Sequence, residues 1–153
     1  MPVSERITKV TASQTMKVAA KAKELRAQGE NVIDLSVGEP DFPTPQNIKD
    51  AAIKAINDNQ TRYTINSGTI ELRQAIKEKL KNENNLDYDL SEISVNSGAK
   101  QSVYNALQAV VNAGDEVIIP APYWVSYPEM VTLADGVSVV IDTSLETSFK
   151  ITP

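Results

Sequence analysis

Residues 93–124 read ISVNSGAKQSVYNALQAVVNAGDEVIIPAPYW, and this stretch decides the fold. Ile93–Val95 alternates apolar and polar and predicts a short strand, Asn96–Gly98 a turn, and residues 99–112 a helix. Asp115–Ile119, bounded by Gly114 and Pro120, predicts a second strand. Beyond it, residues 125–134 read as a short helix and Val137–Ile141 as a further strand. Strand, helix, strand, helix, strand is the rhythm of a parallel sheet with helices on its faces. The expected class is therefore α/β, with a mainly parallel sheet and flanking helices.

Towards the N-terminus the rhythm becomes helical. Thr69 to about Asn84 places Leu72, Ile76 and Leu80 on one face. Gln60–Gly68 is a polar loop that holds Tyr63. Thr44 followed by Pro45 reads as an N-cap with proline at the first helical position, opening a helix to about Asn57. Val37–Pro45 is a loop with three prolines, and residues 31–36 (NVIDLS) alternate like a short strand. Residues 15–28 form a helix with Met16, Ala19, Ala20, Lys23 and Ala27 at helical spacing and Gly29 as its stop. Residues 1–14 are polar and show no period, and no internal repeat or low-complexity segment is present.

Composition narrows the chemistry. With 153 residues, 41% of them hydrophobic and 23% charged, the chain has material for a core. Fifteen basic residues against twenty acidic ones give a net charge of -5, which argues against a nucleic-acid surface. The sequence contains neither cysteine nor histidine, so disulfides, thiolate metal sites and Ser-His-Asp or Cys-His nucleophile systems are excluded, and no metal site is expected. Chemistry must then come from Lys, Tyr, carboxylates or a cofactor. The polar N-terminus shows no signal-peptide core and no apolar run approaches a membrane span, so a cytoplasmic location is expected.

Four short motifs could bind ligands. Ser97-Gly98-Ala99-Lys100 lies at a strand-to-helix junction, where glycine admits a close ligand and the helix N-terminus favours an anion. The same letters also fit a glycine turn that merely starts a helix. Pro120-Ala-Pro-Tyr-Trp124 follows a strand, where ligands of parallel sheets sit, and Trp124 could lie on a planar ring or pack in a core. Ser36-Val-Gly38-Glu-Pro-Asp-Phe42 could offer the Gly38 N–H to a carboxylate, or be only a connector. Arg62-Tyr63-Thr64 could bring a phenol to a phosphate, or be ordinary surface.

Taken together and in order, SVGEPDFPTP, TRYTINSGTIELRQAI, VNSGAKQSVYNAL and GDEVIIPAPYWVSYPEM resemble the class I aminotransferases of fold type I, which depend on pyridoxal 5'-phosphate. The likeness is greatest to the bacterial aspartate aminotransferases and runs from about Ile7 to the end. It implies part of the large, cofactor-binding domain over residues 46–153. Residues 1–45 would supply an N-terminal helical arm and a substrate-carboxylate loop, a small-domain and dimer segment. It implies that Ser97, Gly98, Ala99 and Lys100 hold the cofactor phosphate and that Trp124 stacks on its pyridine ring and helps hold the substrate carboxylate. Gly38 would give its N–H to the α-carboxylate. Tyr63 would reach the phosphate of the neighbouring subunit, making the site a property of a homodimer. Ser13, Thr15 and Lys100 would read the side-chain carboxylate of a dicarboxylic substrate, and a solvated helix-start lysine is the other reading of Lys100. Prephenate or an aromatic 2-oxo acid is a further possible substrate. Ala121–Pro122 is expected to be cis.

The family's chemistry needs a Schiff-base lysine, and none of the eleven lysines has that residue's context. The Asn, Tyr, Asp and Arg partners of cofactor and substrate are equally absent from these motifs. The reading is of the N-terminal part of such an enzyme, inactive by itself and prone to self-associate through an open sheet edge. Two other classes compete: a non-catalytic module that binds phosphate or a partner chain, and a dinucleotide-binding oxidoreductase, which the lack of a GxGxxG after any strand disfavours.

Overall fold

The computed structural model describes residues 3–152 and divides into two compact units, Met1–Gly38 with Val103–Pro153, and Glu39–Ser102. None of the described helices is long and apolar enough to cross a membrane.

The first unit opens with α1 (Glu5–Thr8) and α2 (Gln14–Ala27). Ser13 caps α2, its hydroxyl accepting the Met16 N–H at 3.4 Å, which satisfies one of the orphan amides of the first turn. Gly29, at φ +90°, follows its end. Residues 31–36 do not form the strand expected of them. A strand exists only through its ladder, and no described strand lies alongside. Instead the Asp34 carboxylate accepts the Ser36 hydroxyl at 2.6 Å and the Ser36 N–H at 3.0 Å, a local side-chain bond that competes with sheet pairing. Ile33 and Leu35 are left facing solvent.

The rest of this unit is a strand-helix-strand layer. Strand β1 (Glu116–Ala121) pairs in parallel with β2 (Val137–Asp142), and helix α6 (Ser126–Leu133) makes the crossover. Its core is Ile119 from β1, with Met130, Val131 and Ala134 from α6 and its end; Val131 is 1% exposed. Hydrogen bonds hold both ends of the pair. The Asp115 carbonyl accepts the Val137 N–H at 2.8 Å, and the Ala121 carbonyl accepts the Thr143 N–H at 3.1 Å. Both acceptors fall on odd-numbered residues, so the odd amides of β1 face β2 and the even ones, Pro120 among them, face away. Arg6 reaches Asp135 at 3.5 Å and the Thr11 N–H donates to Glu129 at 3.0 Å, so the N-terminal arm rests on α6.

The second unit is mainly helical: α3 (Gln46–Asn57), α4 (Ile70–Asn84), a 3-10 turn at Leu90–Glu92, and the start of α5 (Gly98–Val110). Pro45 takes the cap of α3 that Thr44 was expected to take, one position later. Thr69 caps α4 through the Leu72 N–H at 3.3 Å, and Asn85, left-handed at φ 55°, ends it. Ile93–Val95, expected as a strand, is not one: Val95 gives its N–H to the Ser67 carbonyl at 2.9 Å, a single bond to a loop.

Candidate functional site

The motif residues fall in both units. Ser13, Thr15, Gly38 and Trp124 lie in the first, and Tyr63 and Ser97–Lys100 in the second.

In the second unit, the junction at Asn96–Gly98 is a tight turn. The Gly98 N–H donates to the Asn96 carbonyl at 2.8 Å, and Gly98 sits at φ +81°, where a side chain is strained. A Cβ built on Gly98 meets nothing within 4 Å, so the glycine faces open space at the start of α5. Two side chains missed by sequence reasoning hold the turn. The Gln101 Oε1 accepts the Ser97 N–H at 2.5 Å, and the Asn96 Nδ2 donates to the hydroxyls of Ser94 at 3.2 Å and Ser102 at 3.1 Å. Gln101, four residues past Ser97, carried the only signal, a polar residue able to fold back over a first turn. With the amides of Ser97 and Gly98 already paired, the Ser97 hydroxyl and the Ala99 N–H remain as donors for an anion. Lys100 is exposed on the first turn of α5. This donor set, open in front, fits a phosphate.

Tyr63 stands fully in solvent, 107% exposed, on the loop before Gly68. Nothing within its own unit covers the ring, which suits a side chain directed at another molecule.

In the first unit, Ala121–Pro122 is cis, as expected. Trp124 follows two residues later, 42% exposed, beyond the carboxyl end of β1. Its ring stands edge-on to Tyr127, with centroids 5.5 Å apart and planes at 90°. A groove of about 540 Å³ runs past Trp124, Tyr127, Pro122 and Ile118. An indole at the rim of such a groove can receive a flat heteroaromatic group.

Ser13 is spent in part as the α2 cap, and Thr15 is half-buried in the first turn of that helix. Gly38 is exposed. The segment leading to it is fixed by Arg26, which donates to the Val32 carbonyl at 3.1 and 3.2 Å and lies 3.8 Å from Asp34. The Ser36 hydroxyl and N–H hold the Asp34 carboxyl below its ordinary value, with help from Arg26 and against a desolvation that raises it.

Known proteins resemble this chain in sequence and in backbone. Residues 30–153 match the model of the family described as aminotransferase class I and II. The aspartate/prephenate aminotransferase of Nitrosomonas europaea is 53% identical over 153 residues, covering 100% of this chain and 38% of that protein. The aspartate aminotransferase of Bacillus sp. strain YM-2 is 52% identical, covering 98% and 38%. Among solved structures, the aspartate aminotransferase of Thermus thermophilus with maleate superposes with a TM-score of 0.94 at 44% identity, covering 99% of this chain and 40% of that one. That of Rhizobium meliloti gives 0.92 at 43%, covering 99% and 38%. The chain thus spans well under half the length of these relatives, and its fold is that of the corresponding part of a fold type I large domain. On its sequence match and its backbone alike, the chain belongs to the class I and II aminotransferases.

Proposed function

We propose that these residues are the cofactor-phosphate and carboxylate-binding part of an aminotransferase that moves an amino group from aspartate to a 2-oxo acid. The observation that carries this reading is Trp124, half-exposed beside an open groove just past the carboxyl end of a parallel strand. The cofactor is pyridoxal 5'-phosphate, which when bound serves as an electron sink for breaking the substrate's Cα–H bond. The Ser97 hydroxyl and the Ala99 N–H, with Gly98 leaving room, bind its phosphate. Trp124 offers its face to the pyridine ring. The Gly38 N–H meets the substrate's α-carboxylate. Tyr63, bare on its own chain, donates to the phosphate bound by a second copy, so the working enzyme is a homodimer. Residues 1–45 act as the arm and carboxylate loop, and 46–153 as the first part of the large domain.

Ser13, Thr15 and Lys100 read the side-chain carboxylate of a dicarboxylic substrate. The maleate in the Thermus thermophilus relative, a dicarboxylate, supports this assignment. Prephenate is a second substrate, supported by the names of several relatives. These 153 residues alone do not transaminate, because no lysine among them has the setting of the covalent one.

Trp124 is the sole tryptophan, so its fluorescence reports on the cofactor-ring contact directly. Pyridoxal phosphate is expected to quench it saturably, and inorganic phosphate to compete with that quenching. Absence of saturable quenching would sink the ring assignment. Turnover of aspartate with 2-oxoglutarate by this chain alone would overturn the claim of inactivity.

A further inference from the structure

Within the unit Glu39–Ser102, two contacts join the Tyr63 loop to the residue that leads into the Asn96–Gly98 turn, and a third ties that loop to α4. The Ser67 carbonyl accepts the Val95 N–H at 2.9 Å, one residue before Asn96. Gly68 lies against Val95 so closely that a Cβ there would come within 2.7 Å of the Val95 Cβ and 2.9 Å of its Cγ2, and its φ of +99° already disfavours any side chain. Arg73, in the first turn of α4, donates from Nη1 to the Ser67 hydroxyl. Its Nε is buried without a partner, so the guanidinium forgoes one hydrogen bond to hold this position.

We propose that Ser67, Gly68 and Arg73 are positioning residues that lock the Tyr63 loop to the Asn96–Gly98 turn. This rests on the phosphate reading of that turn given above. Its consequence is a mechanical link between two phosphate contacts made by one chain. The turn serves the chain's own cofactor and Tyr63 serves the neighbour's. An anion that stiffens the turn also stiffens the loop, through Val95 and Ser67. Filling one site of the dimer thereby prepares a donor for the other.

Inorganic phosphate titrated into the 153-residue chain, followed by amide resonances and hydrogen exchange, tests this. In the unaltered chain the Ser97–Ala99 amides should shift, and exchange should slow at Gly68 and Val95. Gly68→Ala and Arg73→Lys should each weaken phosphate binding about tenfold, because the unlocked turn must then be ordered on binding. They should also abolish the slowing at Gly68 and Val95. Arg73→Lys keeps the charge but not the fork, so a loss in this variant marks geometry rather than field. Protection of the α3 and α4 amides serves as the folding control; if Gly68→Ala fails it, Arg73→Lys decides. An unchanged phosphate response in folded variants removes the link and leaves the phosphate reading intact. No response at Ser97–Ala99 in the unaltered chain overturns both.

Discussion

In the unit Met1–Gly38 with Val103–Pro153, the described residues bury Ala22, Ile119, Met130, Val131 and Ala134; in the unit Glu39–Ser102 they bury Ile93 alone. The first is held by apolar packing of α6 against a parallel strand pair. The second is held by polar devices: the Thr69 cap, the Asp89–Glu92 capping box, Lys81–Asp87 at 2.9 Å and Lys77–Asp89 at 3.5 Å. Exposed ion pairs of this kind are worth little each. Ile48, Ile53 and Ile56 of α3 all face solvent. So the groove beside Trp124 sits in the unit with more buried apolar residues, and the Asn96–Gly98 turn in the unit with fewer, which is expected to open more easily.

The comparison can be broken by attacking each unit in turn. Val131→Asp puts an unpaired charge into the first unit's best-buried position and should cost about 3–5 kcal/mol, enough to unfold it. Loss of the near-ultraviolet dichroism of Trp124 would show it, and a retained signal would mean that α6 does not carry the core. Ile93→Ala should cost about 2–4 kcal/mol and speed amide exchange in α3 and α4 while β1 and β2 stay protected. Equal loss of protection in both units would show that they open together. Thr69→Ala removes the α4 cap and should cost about 1 kcal/mol, read as a lower denaturant midpoint for that helix.

The smallest effect concerns acid. Hydrogen bonds from the Asn112 N–H and side chain hold the Asp115 carboxyl below its ordinary 3.8. The Lys81 ammonium does the same for Asp87 in the other unit, by hydrogen bond and then by charge. Because the folded value is the lower one, the unfolded chain takes up the proton first. The stabilisation is complete above about 3.8 and fades as pH falls through the depressed value. Asp115→Asn should flatten the acid limb for β1 and β2 only, and Asp87→Asn for α4 only. A crossed result would contradict the separation of the units.

Helices were the legible part of this fold. The spacing of Leu72, Ile76 and Leu80, with a cap at Thr69, places α4 within one residue, and α2, α3 and α5 follow within two. The 3.6-residue period and the caps are local, so a sequence displays them. Strands were legible only where both partners are present, as in β1 and β2. Residues 31–36 and 93–95 carry the right alternation and yet have no ladder. Helix α1 and the 3-10 turn at Leu90–Glu92 are too short to show a period. Of the candidate site, Ser97–Gly98 and Trp124 were legible because each follows a strand-like run. Gln101, Asn96 and Arg73 were not, since which acceptor a long polar side chain finds is settled only once the turn closes.

Pro120 sits on the β1 rim that faces away from β2, where the missing N–H breaks no bond of the ladder. Among the described residues nothing pairs with that rim, and the run Val117-Ile118-Ile119 beside it is the kind of segment that seeds fibrils. On the outward rim the run from Glu116 to Ala121 has N–H donors at Glu116 and Ile118 only. A stray strand that docks there finds no N–H donor past Ile118. The proline works as a gatekeeper against aggregation while this part of the sheet stands uncovered.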